Sequence, residues 1–219
     1  MRATDMHISD APAAVGVADA MAGFVARHVP ERGLRGVVQA YAAVQRMPYF
    51  SGPDRTPLAA LRSGRGACTA KHIILRDVLR AIGEQADVQV VQGDFAAAIP
   101  LHGSQDSALA AMIRQGGVSD FHCRVVLRAT HGDLHLDATW PQTLARHGFA
   151  VTRGWTGLAD TVQAMPGAVV CATPQDVLGA KAQLLAGLDP AMRTRRLEFL
   201  RLLSGWMAGL QTAEPSGRA

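Results

Sequence analysis

The chain has 219 residues, of which 48% are hydrophobic and 18% charged, a composition that fits one folded globular domain and excludes an intrinsically disordered protein. The formal net charge is only +4, and no basic run alternates with aromatic residues, so a nucleic-acid partner is not indicated. No segment reaches the roughly 18 apolar residues of a membrane span, so we expect no membrane partner. The three cysteines are widely spaced, so we expect no disulfide framework. Because the N-terminus also lacks the apolar core of a signal peptide, we expect a cytoplasmic protein.

The first part of the chain is predicted to be helical, because apolar residues recur at helical spacing. The predicted helices cover 11–29 and 34–47, and a helical turn at 57–62 leads into a Gly-rich segment. A further helix begins at Cys68, with Ile74, Leu75, Val78, Leu79 and Ile82 at helical spacing, and Gly83 is its predicted C-terminal stop.

The middle of the chain is predicted to form antiparallel strands. Residues 86–92 alternate in polarity as a strand does, and a predicted helix at 105–115 ends at a Gly-Gly break. A hairpin follows, with strands over 121–128 and 134–140. Two helices, 174–187 and 190–211, close a single domain over 1–212, and the tail 213–219 is predicted to be disordered. Helices, then strands, then helices indicate an α+β fold.

Cys68 is a candidate nucleophile because of its place at the start of a helix. The unpaired N–H groups of a helix N-terminus favour an anion, and a thiol attacks only as the thiolate. The same N–H groups could stabilise an oxyanion in a transition state. The alternative is that Cys68 is a small buried residue, as most free cysteines are.

The hairpin supplies a candidate base and a group to orient it. If Arg128 faces Asp133 across the turn, His122 and Asp137 lie on one face as diagonal neighbours, close enough for a carboxylate to reach the imidazole. An aspartate in that position fixes the histidine tautomer and supports the imidazolium. A slip of one residue in register would separate the pair.

Several segments together resemble the transglutaminase-like superfamily, which has a papain-like cysteine enzyme fold. The matching segments span about 57–141 and are Gly66-Ala67-Cys68 at a helix start, Leu79-Arg80-Ala81-Ile82-Gly83 at its end, the strand Val88 to Val91, Phe121-His122 at the start of a strand, and Leu136-Asp137-Ala138-Thr139-Trp140 at the end of the next. Arg124 stands where an aromatic residue is usual, and no tryptophan follows the cysteine motif, which fits a divergent bacterial-type member.

The resemblance implies the fold and the chemistry. It implies an antiparallel sheet packed on the cysteine helix, with extra helices at both termini. It also implies that Cys68 is the nucleophile, His122 the general base and acid, and Asp137 the residue that orients His122. The substrate would be an amide, peptide or thioester carbonyl, attacked through an acyl-enzyme without a cofactor or metal, and the product formed by hydrolysis or acyl transfer.

Two other functions stay open. His131, Asp133, His135 and Asp137 alternate at strand spacing, so a metal-dependent hydrolase on the His131/His135 face is an alternative. A non-catalytic binding protein on the same fold is another.

The remaining candidates are expected to be structural. Lys71 is predicted to lie on the surface and His72 to pack in the core. Cys123 and Cys171 are predicted to be core residues, and the arginines between 193 and 201 are predicted to form a solvated helix face.

Overall fold

The structure is a computed structural model, and it describes residues 16–212. Its α-helices are α1 (Val17–His28), α2 (Gly33–Arg46), α3 (Pro57–Ser63), α4 (Cys68–Ala81), α5 (Ser107–Gln115), α6 (Val177–Ala186) and α7 (Pro190–Thr212). Its strands are β1 (Ala86–Asp94), β2 (Ser119–Ala129), β3 (Gly132–Leu136) and β4 (Val169–Ala172). Short 3-10 helices lie at Ala96–Ala98 and Gln142–His147. The predicted helix start at 11 and the predicted disordered tail 213–219 lie outside the described residues.

The four strands form one antiparallel sheet in the order β3-β2-β1-β4. The predicted α+β class is therefore confirmed. The predicted hairpin register is also confirmed, because Arg128 pairs with Asp133 and their side chains form an ion pair. This register brings the end of β3 beside the first half of β2, where His122 lies.

β3 is shorter than predicted, because it ends at Leu136 and not near residue 140. The backbone groups that would continue the ladder are bonded to side chains. The Asp137 N–H donates to Thr161 Oγ1 at 2.6 Å, and the Asp137 carbonyl accepts from the Tyr41 hydroxyl at 3.1 Å. The chain therefore leaves the sheet at Asp137, and its carboxylate turns towards the start of α4.

Helix α4 lies on the sheet and is buried on nearly all sides. Its residues from Thr69 to Leu75 are all buried, and α2 and α6 contact it as well as β1 and β2. The helix ends as predicted at Gly83, which has a positive φ of 97°; the Gly83 N–H donates to the Arg80 carbonyl and the Glu84 N–H to the Leu79 carbonyl. Packing on several sides fixes the position of the N-terminus of α4 against β2.

Two predictions about burial outside the cysteine helix are wrong. Cys171 is exposed, because it lies on the short edge strand β4, where Val169 and Val170 are exposed too. The arginines of α7 are not one solvated face, because Arg196 is buried and donates to Asp120 at 2.5 Å. Arg193 and Arg201 are exposed, as expected.

No helix among residues 16–212 is both long and apolar enough to cross a membrane.

Candidate active site

Cys68 is the first residue of α4, where the sequence predicts it. The residue before it, Ala67, provides no side-chain cap for the helix. The first N–H groups of a helix have no partner within the helix, so they favour an anion at this place. Cys68 is also partly exposed, whereas the other residues around it are buried. Cys68 is therefore the least enclosed member of this group.

A buried lysine from a distant part of the chain lies against the Cys68 sulfur. Lys181 of α6 places Nζ 3.5 Å from Cys68 Sγ and donates to Thr69 Oγ1 at 3.0 Å. A hydrogen bond from Cys123, the charge of Lys181 and the proximity of His122 together hold the pKa of the Cys68 thiol well below its usual value, against the effect of burial. The groups around Cys68 therefore favour the thiolate over the thiol.

Asp137 accepts three N–H groups. Its Oδ2 accepts from His122 Nε2 at 2.7 Å and from the Ala164 N–H at 2.8 Å, and its Oδ1 accepts from the Thr139 N–H at 3.0 Å. Burial alone would raise the pKa of Asp137, but the charge and hydrogen bond of His122 hold it well below its usual value. The carboxylate is therefore ionised, and three donors fix its orientation.

The bond to Asp137 also fixes the tautomer of His122. A carboxylate only accepts, so Nε2 carries a proton, and Nδ1 is the nitrogen left to exchange a proton with Cys68. Burial would lower the pKa of His122, but the charges of Asp137 and Cys68 raise it to about 10. The raised pKa of His122 and the lowered pKa of Cys68 thus both favour an imidazolium next to a thiolate.

His72, one turn after Cys68, is buried as predicted, and it also links α4 to the segment that carries Asp137. Its ring nitrogen Nδ1 lies 2.8 Å from the Cys68 carbonyl, which can only accept, so Nδ1 is protonated. Its Nε2 accepts from the Ala138 N–H at 2.9 Å. These two bonds require the neutral imidazole, and they hold the nucleophile and the orienting carboxylate at a fixed distance.

The prediction that Lys71 lies on the surface is wrong. Its side chain is fully buried, and Nζ donates to the carbonyls of Met47 at 2.7 Å, Thr139 at 2.9 Å and Gln45 at 3.4 Å. Burial lowers the pKa of Lys71 to about 7, although the charges of Asp137 and Cys68 act in the opposite direction. Lys71 therefore joins three segments beneath the site: its own helix α4, the end of α2 and the segment after β3.

The predicted metal-ligand face is not brought together by the structure. His131 and Asp133 are exposed at the hairpin turn, and His135 Nδ1 lies 3.3 Å from Asp160. Within the described part of the chain, the group with ligand atoms close enough for a metal ion is instead His72, His122 and Asp137, whose atoms lie within 4.8 Å of one another.

The donor set of this second group is already used by hydrogen bonds. His72 Nε2 accepts from Ala138, His122 Nε2 carries the proton donated to Asp137, and both carboxylate oxygens accept backbone N–H groups. A metal ion would have to compete for the same lone pairs in a buried position. The arrangement fits a hydrogen-bonded network better than a metal centre.

The sequence interpretation missed the roles of Lys181 and Lys71, although the composition held a signal. The chain has 22 Lys and Arg residues, and these two are its only lysines. A compact ammonium with three rotatable donors fits a carbonyl cage or a buried thiolate, whereas a planar guanidinium does not. In an arginine-rich sequence, the rare lysines are therefore candidates for positions that arginine cannot fill.

No family model, curated protein or solved structure matches the chain, so the transglutaminase-like resemblance stays a prediction from motifs.

We expect iodoacetamide at about pH 6.5 to label Cys68 first, because an ordinary thiol is mostly protonated there. Cys171 is the exposed reference thiol, and Cys123 should react only after unfolding. Lys181→Met and His122→Ala should each slow the labelling of Cys68, since each removes a positive neighbour; the rate falls on the order of tenfold for each pKa unit that the thiol regains.

Mass spectrometry after trypsin reads the three sites separately, because the cysteines fall in different peptides, 66–71, 115–124 and 154–181. Labelling of Cys68 no faster than that of Cys171, or a rate unchanged by both substitutions, would show that Cys68 is not an activated thiol.

Proposed function

We propose that the chain is a thiol enzyme that attacks an amide, peptide or thioester carbonyl and forms an acyl-enzyme on Cys68. The observation that carries the proposal is the short bond between His122 Nε2 and Asp137 Oδ2, 2.7 Å, in a histidine whose other nitrogen serves Cys68. Cys68, His122 and Asp137 thus form the series of nucleophile, base and orienting group that covalent catalysis requires.

In this proposal the reaction begins with the ion pair. The Cys68 thiolate attacks the carbonyl carbon, and the negative charge moves to the carbonyl oxygen, near the first N–H groups of α4 and the Lys181 ammonium. The His122 imidazolium gives its Nδ1 proton to the leaving group, and Asp137 holds the ring during the transfer. Water or an amine then releases the acyl group, with His122 as base.

The burial pattern supports these roles. Cys68 is partly exposed, whereas only 2% of His122 and 4% of Asp137 is accessible. In this proposal the substrate approaches from the exposed side of Cys68, while the base and its carboxylate are shielded from bulk water, which strengthens their interaction. The α+β architecture, with the cysteine helix on an antiparallel sheet, fits the transglutaminase-like fold that we propose for the chain.

The acyl-enzyme can be tested with p-nitrophenyl acetate, a small activated acyl donor that needs no specific binding pocket. We expect a burst of nitrophenolate of one equivalent per protein and an acetyl group on the peptide 66–71. Cys68→Ala should abolish both, and Cys171→Ala, which removes an exposed thiol, should change neither.

The same assay separates the thiol mechanism from the metal alternative. Exhaustive chelation should leave the burst unchanged, since His122 and Asp137 act through protons. Loss of the burst on chelation, with recovery on adding zinc, would favour a metal-dependent hydrolase. An acetyl group found only outside the peptide 66–71 would contradict the proposed role of Cys68.

A further inference from the structure

A second thiol lies next to the candidate nucleophile, and the acyl-enzyme mechanism does not use it. Cys123 follows His122 in β2 and is fully buried. Its sulfur lies 3.8 Å from Thr69 Oγ1, and the Cys68 sulfur lies 3.9 Å from the same oxygen. Lys181 Nζ lies 3.0 Å from the same Thr69 oxygen, and its charge acts on both thiols. The Thr69 hydroxyl and the Lys181 ammonium thus interact with both thiols.

We propose that Cys68 and Cys123 form a reversible disulfide when a peroxide oxidises the Cys68 sulfur, so that the site is also a redox-modification site. Cys68 is the partly exposed member of the pair, so a peroxide oxidises it first, and the buried Cys123 is the resolving thiol. The inference concerns sulfur chemistry alone and does not depend on the proposed attack on a carbonyl.

The chemistry takes two steps. The Cys68 thiolate attacks one oxygen of hydrogen peroxide, the O–O bond breaks, and hydroxide leaves and takes up a proton to become water; Cys68 is then a sulfenic acid. The Cys123 sulfur, after losing its proton, attacks the Cys68 sulfur, the S–O bond breaks, and a second water leaves. In total, two thiols lose two electrons to one peroxide, which becomes two waters.

The charges of the site favour the second step once the first has occurred. Two causes raise the pKa of Cys123 well above its usual value: the larger is its hydrogen bond with the Cys68 thiolate, and the second is burial. Oxidation turns the thiolate into a neutral sulfenic acid, which removes the negative charge that held the Cys123 proton. Lys181 then has no thiolate partner at Cys68, and the charge of its ammonium favours the new Cys123 thiolate. The first oxidation therefore activates the resolving thiol.

The test uses the full chain, reduced beforehand, with one equivalent of hydrogen peroxide, blocking by iodoacetamide and digestion by trypsin without reductant. We expect the peptide 66–71 to be linked to the peptide 115–124, a loss of the iodoacetamide label at Cys68, and full recovery of that label after dithiothreitol. Cys171→Ser, a substitution at an exposed thiol, should give the same linked peptides as the wild type.

Removal of the resolving thiol should change the product. In Cys123→Ser, and in Cys123→Ala as a second variant if serine disturbs the core, about ten equivalents of hydrogen peroxide should carry Cys68 to sulfinic and sulfonic acids, since each added oxygen consumes one more peroxide. Dithiothreitol should then not restore the label of the variants, whereas the wild type given the same dose should recover it. Overoxidised Cys68 without linked peptides in the wild type would overturn the proposal, and so would equal recovery of the label in wild type and variants. The p-nitrophenyl acetate burst, measured on reduced protein, is independent of either result.

Discussion

Asp137→Asn is expected to lower turnover of an ester or amide substrate by roughly four orders of magnitude, as in other triads, and to leave the fold in place. Asparagine has one acceptor oxygen where Asp137 uses two, against N–H groups from His122, Ala164 and Thr139. When the asparagine NH₂ replaces Oδ2, His122 Nε2 must become an acceptor. The imidazole proton then moves to Nδ1, which faces Cys68, and no lone pair is left to serve as the base.

The matched control is Asp160→Asn. Asp160 is an exposed carboxylate that also bonds a histidine, His135, so the substitution makes the same chemical change away from the site. Turnover of this variant should stay close to that of the wild type, and thermal melting should verify that both variants are folded. Turnover of Asp137→Asn within a few fold of the wild type would remove Asp137 from the mechanism.

Lys71→Met is expected to lower the free energy of unfolding by roughly 3 kcal/mol or more. Methionine fills the space of the lysine stem but donates no hydrogen bond, so the carbonyls of Gln45, Met47 and Thr139 lose a donor in a buried place. Each buried acceptor left without a partner costs about 1–3 kcal/mol. Because Thr139 follows Asp137 by two residues, the loss should also loosen the carboxylate.

Urea unfolding measures this change, and Arg35→Met is the control. Arg35 is an exposed cation on α2 that forms an ion pair with Glu31, so its removal should change stability by no more than about 0.5 kcal/mol. A loss of stability in Lys71→Met as small as in Arg35→Met would mean that the carbonyl cage does not hold the three segments together.

The parts of the site that follow from local rules could be predicted from the sequence. The start of a helix at Cys68, its stop at Gly83, and the pairing of Arg128 with Asp133 each depend on neighbouring residues or on a short turn. The contact between His122 and Asp137 follows from that register alone, and the structure contains it. Local pattern was sufficient wherever the partners lie within one hairpin or one helix.

The lysines could not be placed by the same rules. The residues Thr69 to Leu75 are buried without a break, so α4 has no polar face along this stretch from which periodicity could assign Lys71 to one side. Its acceptors come from segments far away in the chain, as does the contact of Lys181 with Cys68. The prediction for Cys171 is wrong for the opposite reason: the apolar run around it indicates a core segment, but the run forms an exposed edge strand.

The burial of both lysines has a consequence for the second half of the proposed reaction. If an amine, and not water, releases the acyl group, then the protein offers no exposed lysine side chain to another copy as an acceptor, since Lys71 and Lys181 are the only lysines in the sequence and both are enclosed. The guanidinium groups that provide its other cationic side chains stay protonated and are poor nucleophiles. Copies of such an enzyme would present no exposed lysine to one another, so an acyl transfer to lysine between molecules would have to go to a different protein.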